Sequence, residues 1–364
     1  MSASPSSTFH RFAGHFDMLH DTARNRLYAA ALAREAPHSS HCLDLGSGSG
    51  LLALLAAQAG APRCTAFEVV GDLAAAARDN CAANALYGRA VHVRNEHSTT
   101  LPRGSMPRPK ADLVVHELLD TPLIGEGVLQ SLRHARAHLL APGFRSVPSS
   151  AVVYAQLFGA SAPAMALVPP APYALPSGSA GSGGCRGAAA AYHVNMAPLV
   201  AAGAFVPLSD RVAVFDFDFC RVPPESGRRR RVECTATAEG CAQCVVIWWD
   251  ATMVAAVGGA AESGGAAGVE AAAGSVTDDG DDYDNDHANT NANTNAAINV
   301  TMAEGHDAAP LLIMSTEIGT SPPRDHWRQA MLPLPLQIGE EGLGPHMQVG
   351  DTLWLEAHHD DDAI

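Results

Sequence analysis

The stretch HCLDLGSGSGLLALLAAQAG, residues 41–60, narrows the fold more than any other part of the chain. A short apolar strand runs into three alternate glycines and then directly into an alanine/leucine helix. Gly46, Gly48 and Gly50 have no β-carbon, so the backbone there can turn sharply and approach a ligand closely. A second strand, RCTAFEVV, ends at Glu68, 18 residues beyond Gly50. A wound α/β fold places an acid there against ribose hydroxyls. The spacing is G-x-G-x-G with Asp44 just ahead, not the G-x-G-x-x-G of dinucleotide sites. This form suits an adenosyl ligand with no pyrophosphate to cradle. The plain alternative is a structural strand-to-helix turn with Glu68 as a surface acid.

The flanking pattern extends the same fold. Phe16, Leu19, Ala23 and Leu27 recur at helical spacing and predict one amphipathic helix over 16–36, ended near Pro37. A helix at GDLAAAARDNCAANAL and strands at AVHVRNE and ADLVVHELL follow. Strands alternating with helices predict a parallel, wound sheet over residues 16–147. From Pro148 the runs AVVYAQLF, RVAVFDFDF, RRVECTATA, CVVIWWDATM, PLLIMSTEI and DTLWLEAHH predict a mostly antiparallel second domain over 148–364. Inserts at 159–205 and 258–299 have few large apolar side chains to offset the entropy of ordering and are expected to be mobile. Residues 1–15 are expected to be disordered or a partial lid.

Composition sets further limits. The formal charge is −15, but six aspartates fall within 278–286 and three more at 360–362, so the tails carry much of it. Such a chain is not expected to bind nucleic acid directly; a cationic protein partner fits it. There is no uninterrupted apolar run of membrane-spanning length, so no membrane association is expected. Eight scattered cysteines predict an intracellular, reduced protein.

The loop HELLDTPLIGEG carries Glu117 and Glu126 on either side of an apolar, glycine-bearing stretch. Two solvated carboxylates would be the ordinary reading of such a loop. Leu118, Leu119, Leu123 and Ile124 would bury part of it, however, and buried carboxylates need cationic partners. The loop contains no lysine or arginine. A guanidinium from outside fits best, because its planar fork takes carboxylates two bonds at a time. Gly125 and Gly127 would bend the chain so that Glu126 faces Glu117.

The motifs MLHDTARN, LDLGSGSGLL, HELLDTPLIGEG, VYAQL, WWD, RDHWRQ and HHDD, in that order, resemble the protein arginine methyltransferase family. The likeness is to the first module of its monomethylating (type III) branch, protein arginine methyltransferase seven. It implies a Rossmann-like class I methyltransferase domain followed by a β-barrel domain, with S-adenosylmethionine as donor, S-adenosylhomocysteine as product and no metal. By position, it implies that Arg24 pairs with the donor carboxylate and that Met18 lies near the sulfonium. Asp44, Gly46 and Gly48 would line the amino-acid end, Glu68 would hold the ribose, and His97 and Ser98 would lie near the adenine. Glu117 and Glu126 would clamp the substrate arginine, while His326 and Trp327 would close the site from the barrel side. Arginine-rich or Gly-Arg-rich proteins such as histones are the implied substrates, the cytoplasm and/or nucleus the implied location, and a homodimer one assembly it permits.

A donor-binding but catalytically weak scaffold from the same family is the alternative, since family members of this branch carry two modules and more helix before MLHD. A nucleic-acid or small-molecule methyltransferase fits less well. The Asn-Pro-Pro-Tyr motif of amino-directed DNA enzymes is absent, and the paired glutamates would have no cation to grip. Other features are read as structural. GRRRRV (227–232) is expected to be a solvated loop, Cys241 and Cys244 buried thiols without the second pair a zinc site needs, and HHDDD a strand end plus a frayed terminus.

Overall fold

The computed structural model describes residues 15–101, 104, 109–161, 164, 192–221, 227–255, 312–319, 327–333 and 346–359. The insert at 258–299, residues 1–14 and His326 lie outside them. Among the described residues no helix is long and apolar enough to cross a membrane.

The first half builds a five-stranded parallel sheet in the order β3-β2-β1-β4-β5. Its strands are β1 (Cys42–Leu45), β2 (Cys64–Phe67), β3 (Val91–Arg94), β4 (Ala111–His116) and β5 (Leu140–Val147). Helices α1 (Thr22–Glu35), α2 (Leu51–Gln58), α3 (Gly71–Ala83) and α4 (Val128–His138) accompany them. All four residues of β1 and of β2 are buried, as expected where helices cover both faces of a parallel sheet. This is the Rossmann-like half that the glycine turn predicts.

The single helix expected over 16–36 is broken. Residues 15–20 are helical, and Asp21 then leaves helical geometry, its side chain accepting from the Arg24 amide at 2.7 Å as the N-cap of α1. An aspartate that satisfies an orphan amide starts a new helix rather than continuing the old one.

The second half is a curled antiparallel sheet. Its spine is β6 (Ser150–Ala160) paired along nine residues with β12 (Cys244–Thr252). β7 (Tyr192–Val194), β14 (Gln329–Pro333) and β8 (Phe205–Pro207) extend it, and β9 (Val212–Asp218) and β13 (Ile313–Ser315) join at its ends. Successive side chains on β12 face opposite ways. Trp249 therefore enters the main core, which runs continuously from Leu43 and Val114 of the parallel sheet to Phe215 and Trp327. Trp248 enters a second cluster with Phe158, Met196 and Phe205.

Two expectations are corrected here. Part of the insert at 159–205 is ordered: β7 pairs with β14, and Met196 of a short helix fills the Trp248 cluster. Two anchoring contacts suffice where average composition argued against order. The arginine run is not a loop either. Arg228–Thr235 forms β10, paired with β16 (Thr352–His359), and β11 (Gly240–Cys241) pairs with β15 (His346–Met347). Arg228 lies over the rings of Phe215 and Phe217, Arg231 over Trp354, and Arg230 pairs with Asp216. Aromatic faces and a carboxylate disperse a charge density that looked unsuited to a strand. His358 and His359 close β16, and residues 360–364 lie outside the described residues. Cys244 is buried, its thiol pushed up to about 12 by burial, whereas Cys241 is only half-buried.

Candidate active site

Ligands of wound α/β sheets bind outside the carboxyl ends of the strands, where the strand order reverses. That point lies between β1 and β4, and the residues emerging there are the glycine turn and Glu117. A cavity of about 600 Å³ opens at this place. Its walls include Met18, Arg24, Gly46, Gly48, Glu68, His97, Ser98, Glu117, Glu126 and Trp327. Asp44 lies in the fully buried strand beneath, and His326 is outside the described residues.

At the turn, Gly46, Gly48 and Gly50 adopt φ of +73°, +53° and +86°, the left-handed region that favours glycine. A β-carbon on Gly46 would stand 2.5 Å from Leu118 Cδ2, so the turn also abuts the loop that carries the paired glutamates. Glu68 is buried and ties the turn together. Its carboxylate accepts from the Gly48 amide at 2.8 Å and the Val70 amide at 2.7 Å. Ser98 is buried at the far end; the neighbouring His97 is exposed and its Nδ1 contacts Thr99 Oγ1 at 2.6 Å.

Asp44 is wholly inaccessible and neither carboxylate oxygen has a hydrogen-bond partner. Burial pushes its pKa up to about 7, with the nearby charges of Glu68 and Glu117 adding to the rise. An aspartate raised above its unfolded value binds its proton more tightly in the folded state. The stability this gives is fully present below about pH 4 and is lost as pH climbs to 7, at up to about 1.4 kcal/mol per pH unit. Thermal unfolding of the native chain should therefore show a downward slope between pH 5 and 7.5 that Asp44→Asn flattens. Equal slopes would mean that Asp44 is already ionised.

The glutamate loop is held from several sides. Leu123 sits at φ +83° and Gly127 at +77°, so these two residues make the bend. Gly125, expected to share it, keeps ordinary φ; its amide donates to Asp120 Oδ1 at 3.0 Å, and a β-carbon would strike Asp120 Oδ2 at 2.2 Å. From the antiparallel half, Trp249 Nε1 donates to the Asp120 carbonyl at 3.0 Å and Trp327 Nε1 to the Leu119 carbonyl at 2.7 Å. The two indoles meet edge to face at 5.1 Å. Trp327 thus lines the cavity from the antiparallel half and also anchors the loop.

Glu117 is buried and Glu126 is exposed to the cavity mouth. The cation that Glu117 lacked locally comes from α1: Arg24 Nη2 lies 2.8 Å from Glu117 Oε2, both side chains almost inaccessible. Burial pushes the Glu117 carboxyl up to about 7; Arg24 opposes the rise and Glu126 adds to it. For Arg24, burial acts to lower the pKa, but the charge and hydrogen bond of Glu117 together with the charges of Tyr28 and Asp21 outweigh it, so the guanidinium is raised. Burial and Asp120 raise Glu126.

Sequence reasoning missed several cavity residues. Asp120 lines the cavity and accepts from the Gly125 amide, a role its place in the loop sequence does not reveal. His193 reaches the wall from β7, with Nδ1 3.2 Å from Thr121 Oγ1, out of a segment whose composition gave no signal. His15 packs its Cε1 against Gly48, and its Nε2 is buried without a partner.

Comparison with known proteins agrees with this architecture. The profile of the ribosomal protein L11 methyltransferase (PrmA) family matches residues 19–134, which begin just before α1 and reach into α4. Protein arginine N-methyltransferase 7 of Drosophila yakuba is 34% identical over 96% of this chain and 48% of its own length. The Drosophila persimilis protein of that name is 31% identical over 96% and 47%. The chain spans about half the length of the curated relatives it matches. In fold it is similar to a Trypanosoma brucei PRMT1 enzyme–prozyme heterotetrameric complex with AdoHcy (TM-score 0.60, 16% identity, 94% of this chain and 86% of that one). It is also similar to Arabidopsis thaliana protein arginine methyltransferase 10 (TM-score 0.51, 21% identity, 66% and 72%). Near-complete coverage of this chain at such identities, on the fold described above, shows that it belongs to the protein arginine methyltransferase family, with its likeness to the protein arginine N-methyltransferase 7 members.

Proposed function

We propose that this chain transfers a methyl group from S-adenosylmethionine to the guanidinium of arginine in cationic protein segments, with monomethylarginine as the product. The observation that carries the reading is the sharing of one cavity by the glycine turn, Glu68, Glu117 and Glu126. The residues fit the donor. The left-handed glycine turn offers bare backbone, Asp44 has two unpartnered oxygens beneath it, and Glu68 stands at the end of β2. Arg24 and Met18 would serve its methionine end, Gly46 and Gly48 the turn beside it, Glu68 the ribose, and His97 with Ser98 the adenine. When bound, the donor supplies an electrophilic methyl on a sulfonium and leaves as S-adenosylhomocysteine.

The chain's own residues do the rest. An arginine guanidinium is protonated at physiological pH, its pKa lying above roughly 12, and its nitrogens are poor nucleophiles. Glu117 and Glu126 would draw positive charge onto the nitrogens they hold and leave the remaining one electron-rich; as that nitrogen takes the methyl it gives up an N–H proton, so the product remains a singly charged guanidinium. Orientation of this kind supplies roughly 7 to 11 kcal/mol in favourable cases, and fixed charges in a water-poor site add to it. Trp249 and Trp327 keep the clamp in place by holding its loop. The acidic cavity mouth, with Glu126 and Asp120, favours cationic segments such as Gly-Arg-rich or histone-like sequences.

The test is incubation of the full chain with radiolabelled donor and a Gly-Arg-rich peptide, followed by mass spectrometry of the arginine products. Monomethylarginine is expected. Dimethylated product would overturn the product assignment. Donor binding without any product would favour a catalytically weak scaffold.

A further inference from the structure

The Arg24–Glu117 pair is incomplete on both sides. Arg24 donates through Nη2 to Glu117 Oε2 and through Nη1 to Asn25 Oδ1 at 2.8 Å, while its Nε is buried without a partner. Glu117 Oε1 is likewise buried and unpartnered. A buried polar atom without a hydrogen bond has lost its water and gained nothing in return, the more so when it is charged, so each member would gain by a further contact. Both residues line the cavity, yet their side chains are only 4% and 3% exposed, so the pair closes on itself. The residues around them differ in kind. Met18 and Leu19, with Asn25 Nδ2 held on the Leu19 carbonyl, lie on the Arg24 side; Leu118, Asp120 and Glu126 lie on the Glu117 side.

We infer that Arg24 is a positioning residue for Glu117, and that their shared ion pair couples the donor end of the cavity to the acceptor end. The inference rests on the function proposed above and concerns how that site is regulated. A carboxylate arriving at the Arg24 side completes the guanidinium and draws it partly away from Glu117. That frees a carboxylate oxygen for a second, incoming guanidinium. The rearrangement is made once, by whichever ligand comes first, and the second ligand is spared it; this is positive cooperativity. Arg24 is itself a guanidinium, so in the ligand-free protein it occupies the kind of contact a substrate arginine would make with Glu117.

The test measures binding of an arginine-containing peptide to the full chain by calorimetry, with and without saturating S-adenosylhomocysteine. The peptide should bind at least about fivefold more tightly to the loaded protein, and S-adenosylhomocysteine should gain the same factor from saturating peptide, as linkage requires. Arg24→Lys, which keeps the charge but loses the fork, should bring that factor close to one even at saturating S-adenosylhomocysteine. A purely structural role for Arg24 would weaken both affinities and leave their ratio unchanged. Equal peptide affinity in the free and loaded native chain overturns the coupling alone, as does an unchanged factor in Arg24→Lys. Failure of S-adenosylhomocysteine to bind the native chain overturns the donor site and the coupling with it.

Discussion

Replacing Glu117 by glutamine is expected to lower methyl transfer by roughly two to three orders of magnitude, the usual effect of removing one preorganised electrostatic contact. S-adenosylhomocysteine binding should change by only a few-fold. The substitution preserves size, so Leu118 keeps its place beside Gly46 and the glycine turn is undisturbed. What changes is charge. The glutamine carbonyl can still accept from Arg24, but its NH2 then faces the substrate, a donor opposed to another donor. The neutral amide also no longer localises positive charge on the held nitrogens. Because Glu117 is buried, water cannot substitute for the missing carboxylate. Calorimetry of S-adenosylhomocysteine binding together with a radiolabel assay separates the two effects. Near-normal turnover in a variant that binds S-adenosylhomocysteine normally would rule out the clamp.

The parts of this site that could be read from the sequence are those where one short segment holds the whole constraint. The glycine turn must follow a strand and precede a helix. Glu68 must end the next strand, and Glu117 follows β4 directly. Burial of Glu117 could be inferred from the leucines around it, and with burial the need for a cation. The identity of the resident cation could not, because Arg24 lies 93 positions away and reaches Glu117 only through the packing of α1 on the sheet. The placement of Arg24 also depends on Asp21 restarting the helix, a local choice that apolar periodicity does not register. His193 was out of reach for a different reason. Its segment is ordered by pairing with β14 and by Met196, so average composition pointed the wrong way. The arginines of β10 misled likewise, since their compensating partners Phe215, Phe217, Asp216 and Trp354 come from other strands.

The long-range support of the glutamate loop makes Trp249 the position of largest expected stability loss. Trp249 is fully buried, meets Trp327 edge to face, and donates to the Asp120 carbonyl. Trp249→Ala removes the ring from the core shared by both halves and should cost roughly 3–5 kcal/mol, read as a lower urea midpoint at unchanged slope. Trp249→Phe keeps an aromatic ring in the core but loses the indole N–H and part of the bicycle, at about 1–3 kcal/mol. The phenylalanine variant is the sharper experiment. It leaves the fold in place but frees the Asp120 end of a loop whose other indole contact, Trp327 to Leu119, remains. Asp120 also receives the Gly125 amide beside Glu126, so loosening it lets the two carboxylates drift apart. Methyl transfer should then fall several-fold more than S-adenosylhomocysteine binding does. If Trp249→Phe keeps full turnover, the Trp327–Leu119 contact and the parallel half suffice to position the loop, and Trp249 contributes stability rather than geometry to the clamp.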